Sequence, residues 1–162
     1  MNKRGQLDIS FSMIFTILII IVTIAVASYV IFKFVNLNKC QQITTFYSDF
    51  DKEVRNAYSS GLYEGNRTYL LDKGIKAVCF GNLSQTTLTK ADSEIQKILA
   101  ETGNERHNMF FYPSGEACDY KFRSKKQDFI VMDKFFCIPT NNGRLTIKMI
   151  KGEEDLFVKL SK

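Results

Sequence analysis

The chain has 162 residues, is 45% hydrophobic and carries a formal charge of +5. Much of its apolar content lies before residue 36, leaving about 120 residues, enough for one small domain with its own core and too few for two. The charge falls short of a dedicated nucleic-acid binder, though it suits anionic glycans or lipids, and a single His with no Trp offers little for catalysis.

The apolar run begins at Ile9, and no charged residue appears before Lys33. As a helix those residues rise about 36 Å, enough to cross a hydrocarbon core of about 30 Å. A secretory core is only about 7–15 residues and leads into a small-residue cleavage site. Here the run continues well beyond Ala25-Val26-Ala27, so the segment is expected to stay in the protein. Lys3 and Arg4 on one side nearly balance Lys33 and Lys39 on the other, which favours a cytoplasmic N-terminus weakly. Asn66-Arg67-Thr68 and Asn82-Leu83-Ser84 fit the N-glycosylation pattern, and Asn66 and Asn82 are candidate acceptors on an outward domain.

Between Gly5 and Gly61 there is neither Gly nor Pro, so one helix is expected to continue beyond the membrane. Unbroken from Leu7 to Ser60 it would be about 80 Å long. After Lys33 it turns amphipathic: Ile43, Phe46, Tyr47, Phe50, Val54, Ala57 and Tyr58 recur at helical spacing, with Asp49, Asp51, Lys52, Glu53 and Arg55 between them. Gly61 to Gly74 reads as a connector, and Ile75–Phe80 as a strand. Thr89 is expected to cap a short helix, with Asp92 in the capping-box position, Ile95, Ile98 and Leu99 facing inward, and Gly103-Asn104 as its stop. Met109–Tyr112 and Phe129–Met132 are short strand candidates. Phe135–Ile138, Leu145–Ile150 and Leu156–Leu160, joined by Asn142-Gly143 and by Gly152–Asp155, read as an antiparallel meander.

Cys40, Cys79, Cys118 and Cys137 form an even set without a C-x-x-C pair, which points away from zinc and toward two disulfides in an oxidising compartment. Four buried free thiols are the alternative reading. Four cysteines allow three connectivities, which the sequence leaves open; in one of them Cys118 with Cys137 would clip a local strand pair and leave Cys40 and Cys79 to tie the helix to the sheet.

No catalytic constellation emerges. His107 sits in a polar loop, Glu153-Glu154-Asp155 in a turn, and no phosphate loop, nucleophile elbow or His-Glu metal motif is present. No cofactor, metal, nucleic acid or small-molecule substrate is indicated. Lys121–Lys126, with Phe122 among its charges, reads first as a solvated loop and second as a contact for anionic partners. Phe110-Phe111-Tyr112 reads as core.

Lys3-Arg4-Gly5-Gln6, followed by the apolar helix, resembles an archaeal class III signal peptide of the kind found on type IV pilin-like proteins and archaellins. The resemblance covers about the first 35 residues. It implies cleavage between Gly5 and Gln6 by a prepilin peptidase, with the leader charges Lys3 and Arg4 held at the cytoplasmic face. It also implies a homo-oligomeric filament as a destination. Where many type IV pilins carry a glutamate, this chain has Ser10; the nearest acid, Asp8, becomes the candidate assembly contact with a neighbour's new amino terminus. The terminal stretch NNGRLTIKMIKGEEDLFVKLS is similar to uncharacterised archaeal one-span proteins, which bring no activity with them.

The expected fold is therefore α+β: a long helix, transmembrane over 6–35 and amphipathic over 36–60, packed on a small, mainly antiparallel sheet with one short additional helix. Residues 1–5 form a candidate leader and 61–162 an extracytoplasmic head. The expected function is that of a non-enzymatic, pilin-like surface protein, structural or adhesive, anchored in the cell membrane. The alternative, from another class, is an uncleaved single-pass protein whose head binds a partner or polymer within a membrane complex.

Overall fold

The computed structural model describes residues 11–102 and 105–161. The leader residues Lys3, Arg4, Gly5 and Gln6, the acid Asp8 and the expected helix stop at Gly103-Asn104 lie outside the described residues. The chain divides into two units, Met1–Asn36 and Leu37–Lys162.

Helix α1 runs from Phe11 to Ser59, the consequence of a stretch free of glycine and proline. In the first unit every side chain from Ser12 to Asn36 is exposed. In the second unit the amphipathic stripe is buried: Ile43, Phe46, Phe50, Val54 and Ala57 are at most 2% exposed. Tyr58, expected in the same stripe, is 38% exposed. It lies in the last turn, where its ring packs beside Phe129 at 4.6 Å and under the Lys151 ammonium. Lys151 also donates to the Ser60 carbonyl at 2.8 Å and to that of Tyr58, closing the helix end with a cation.

Among the described residues the head contains eight strands in two four-stranded sheets and a second α-helix. The strands are β1 (Tyr63–Leu70), β2 (Ala77–Phe80), β3 (Met109–Tyr112), β4 (Ser124–Lys125), β5 (Ile130–Val131), β6 (Phe136–Pro139), β7 (Arg144–Lys151) and β8 (Val158–Ser161); helix α2 is Lys90–Thr102. One sheet has the order β1-β7-β8-β5, the other β4-β3-β2-β6. Among these strands every pairing is antiparallel except β5 with β8. This is the α+β architecture the sequence predicts.

Burial follows the strand period of two. In β7, Leu145, Ile147 and Met149 are buried in the main core, while Arg144 and Thr146 face out. In β2, β3 and β6 both faces are covered. Val78, Phe80, Met109, Phe111, Phe136 and Ile138 join the main core with α1, whereas Ala77, Cys79, Phe110 and Cys137 join a second cluster with Leu99 of α2. The second sheet is therefore sandwiched between two apolar clusters, which explains its uninterrupted apolar runs.

Three expectations are corrected here. The stretch read as a connector contains β1, whose eight residues pair with β7 throughout, from Tyr63 opposite Lys151 to Leu70 opposite Arg144. The C-terminal segments are not one meander. β6 pairs with β2, whereas β7 pairs with β1 and β8. The Asn142-Gly143 turn is tight, with Asn141 and Arg144 exchanging hydrogen bonds of 2.9 Å, but it carries the chain from one sheet to the other. Asn142 (φ 50°) and Gly143 (φ 76°) are both left-handed, as this turn demands. A side chain at Gly143 would stand 2.5 Å from the Leu71 carbonyl oxygen, whose own amide donates to Gly143 at 2.7 Å. Finally, Ile98, expected to face inward, is 48% exposed, while Leu99 is buried; the narrow apolar stripe of α2 passes through Ile95 and Leu99.

Candidate functional site: an exposed apolar helix and a disulfide-clamped head

The apolar half of α1 is long enough to cross a membrane, and none of its most apolar 18-residue stretch is buried within the protein. Each Ile, Leu, Phe or Val there favours the bilayer centre by about 0.3–0.6 kcal/mol. Its two threonine hydroxyls are internally satisfied: Thr16 donates to the Ser12 carbonyl at 2.8 Å and Thr23 to that of Ile20 at 2.9 Å. Such back-bonding removes the cost of an unpaired donor in hydrocarbon. Near the end of the run the Lys33 ammonium sits 5.7 Å above the Tyr29 ring, an amphipathic pair of the kind that marks a membrane–water boundary.

In the head all four cysteines are bridged, as Cys40–Cys118 and Cys79–Cys137. Two disulfides were expected, and Cys118 does not pair with Cys137. The register of β2 on β6 places Cys79 directly opposite Cys137, and strand alternation turns both toward the α2-side cluster. Cys118 lies between the single 3-10 turns Ser114–Glu116 and Tyr120–Phe122, where it meets Cys40 of α1. That contact is flanked by Lys39, which donates to Glu116 at 2.7 Å and lies 3.6 Å from Asp72. The Glu116 hydrogen bond raises the Lys39 pKa, against an opposing effect of burial and with support from Asp72. Together these groups form a clamp between α1 and the segment following β3.

A second clamp lies further along α1. Tyr63 and Arg67 of β1 both donate to the Glu53 carboxylate, Arg67 at 2.7 Å. Burial pushes the Glu53 pKa up, but the two hydrogen bonds and the Arg67 charge outweigh it and hold it below the usual value. Tyr47 donates to the Phe122 carbonyl at 2.9 Å, and its own ionisation is displaced upward by burial and by the nearby Asp51 charge. The expected cap on α2 forms: the Asp92 amide donates to Thr89 Oγ1 at 3.1 Å and the Thr89 hydroxyl donates back to Asp92 at 2.8 Å. Asp92 is only 3% exposed, and its other oxygen accepts from the Cys137 amide at 3.0 Å. The cap thus also ties α2 to β6.

None of these long-range partnerships carries a local sequence signal. Lys39 and Glu116 are 77 residues apart and Tyr47 and Phe122 are 75 apart. The candidate glycan acceptors are both exposed, Asn66 on β1 and Asn82 in the turn after β2. Asn82 Oδ1 accepts from the Ser84 amide and hydroxyl, each at 3.0 Å. His107, expected in a loop, shares a 2.7 Å hydrogen bond through Nδ1 with Ser124 Oγ. Among the described residues no group of three or more His, Cys, Asp or Glu side chains is arranged to hold a metal. Compared with known proteins, the chain matches no family model, no curated sequence and no solved structure.

Proposed function

We propose that the chain is a pilin-like, single-pass membrane protein whose disulfide-bonded head stands on the outer side of the membrane in a structural or adhesive role. The observation that carries this reading is the exposed apolar run of α1. Its side chains from Ser12 to Asn36 are exposed, whereas the stripe on its second half from Ile43 to Ala57 is committed to a core. A helix apolar on all faces suits a bilayer or the interior of an assembly of copies. Two disulfides suit an oxidising compartment, and hence a head facing outward with its N-terminus inside.

Within this reading Lys3 and Arg4 hold the leader at the cytoplasmic face, a prepilin peptidase cuts between Gly5 and Gln6, and Asp8 meets a neighbouring subunit's freed terminus in a filament. The test is mass spectrometry of the amino-terminal peptide from protein in native membranes. A chain beginning at Gln6 is expected. A chain beginning at Met1 would remove the peptidase and the pilin-like route while leaving the anchor in place.

A further inference from the structure

We propose that the cleft between α1 and the Lys121–Lys126 segment binds a phosphate or sulfate ester. This goes beyond the anchoring role and does not depend on it. The cleft has a volume of about 420 Å3, and its lining includes Tyr47, His107, Lys121, Phe122, Lys125 and Lys126, with no Asp or Glu. Three lysines and the protein's one histidine therefore line a cleft with aromatic walls, and the carboxylates that answer two of those lysines, Asp51 and Asp128, lie outside it. The walls are fixed, because Tyr47 donates to the Phe122 carbonyl and its ring packs 5.5 Å from that of Phe111.

The cations differ in their freedom. Lys125 is held by Asp51 and lies 5.1 Å over the Tyr47 ring, so it serves as a fixed wall of partly answered charge. Lys126 pairs with Asp128 at 3.0 Å, but both are 66% exposed, and such a pair is worth at most about 1 kcal/mol. It yields readily to a multivalent anion. Lys121 is exposed on the rim. The Nδ1–Ser124 bond fixes the His107 ring in the wall of the cleft.

A tetrahedral oxyanion suits this arrangement because its several oxygens accept from donors approaching on one side. An ester fits better than a bare ion, since the open mouth and the Tyr47 and Phe122 rings accommodate its organic part. The cations are gathered on one short segment rather than along a stripe, which disfavours a nucleic-acid backbone.

The test is calorimetric titration of the full chain in dodecyl maltoside at low salt with inorganic phosphate, glucose 6-phosphate and dihexanoyl phosphatidic acid. Saturable binding at one site per chain is expected for phosphate and for at least one ester. K121Q/K126Q should weaken it at least tenfold, and the charge-matched control K90Q/K97Q on α2 should leave it within about twofold. Tighter binding of glucose 6-phosphate would identify a soluble or glycan-linked ester as the source, and tighter binding of phosphatidic acid a lipid headgroup. Absence of saturable binding by all three probes, or equal weakening in the control, would overturn the proposal.

Discussion

Replacing Cys40 and Cys118 by alanine tests whether the head is held to its helix by the clamp described above. The two cysteines are 78 residues apart, but with Cys79–Cys137 intact the ring they close runs through that bridge and is roughly 60 residues around. Because closure entropy varies with the logarithm of ring size, either length gives about 4 kcal/mol. That is a large share of the roughly 5–15 kcal/mol by which a domain is stable. The Lys39 contacts with Glu116 and Asp72 remain, so the 114–123 segment should loosen rather than depart. The assay is urea unfolding of the full chain in dodecyl maltoside followed by tyrosine fluorescence, with hydrogen exchange on the folded state. C40A/C118A should lose about 4 kcal/mol, and amides between Ser114 and Arg123 should exchange faster while β2, β3 and β6 stay protected. A loss below about 1 kcal/mol, or faster exchange spread evenly through that sheet, would refute the reasoning.

Three further outcomes follow from single side chains. D92A keeps the Asp92 amide bond to Thr89 but removes the carboxylate that accepts from the Thr89 hydroxyl, and leaves the buried Cys137 amide without its partner, so it should cost about 1–3 kcal/mol in the same unfolding assay. G143A places a Cβ at φ 76° against the Leu71 carbonyl and should cost about 1–3 kcal/mol, read as a lowered melting temperature. Glu53 has its folded pKa held below the ordinary 4.5, so its stabilising effect is complete above the unfolded value and is lost as pH falls through the folded one. Unfolding measured from pH 7 down to pH 3 should show wild type losing more stability than E53Q, which starts lower and declines less; parallel curves would contradict this.

The sequence made the helical parts and the doubly buried strands legible because their signals are local. A breaker-free run, a stripe at helical spacing and a Thr-x-x-Asp cap each act within one element. So do the apolar runs of β2 and β3, which are buried on both faces. β1 was hidden because its residues are mostly polar and only Tyr69 is fully buried. Tyr63, Gly65, Arg67 and Tyr69 share one face of the strand, and Tyr63 and the exposed Arg67 reach α1 by hydrogen bonds to Glu53 instead of packing as hydrophobes. The Asn142-Gly143 pair signals a hairpin turn, and the tight turn forms, but a turn does not say whether its flanking strands share a sheet, and β6 and β7 do not. The disulfide pairing is illegible in the sequence for the same reason. It depends on the register that sets Cys79 opposite Cys137, and that contact is 58 residues long in sequence. The cleft around His107 combines α1, the approach to β3 and the segment leading into β4, so no single stretch announces it.

The central claim is that the apolar half of α1 lies in a membrane with the head outside. It is tested most directly by treating intact cells with a protease and weighing the fragment that stays in the membrane. The account predicts that the head is digested without lysis and that the protected fragment begins at Gln6 and ends soon after Lys33. A chain that survives intact until the cells are lysed would place the head inside and contradict it.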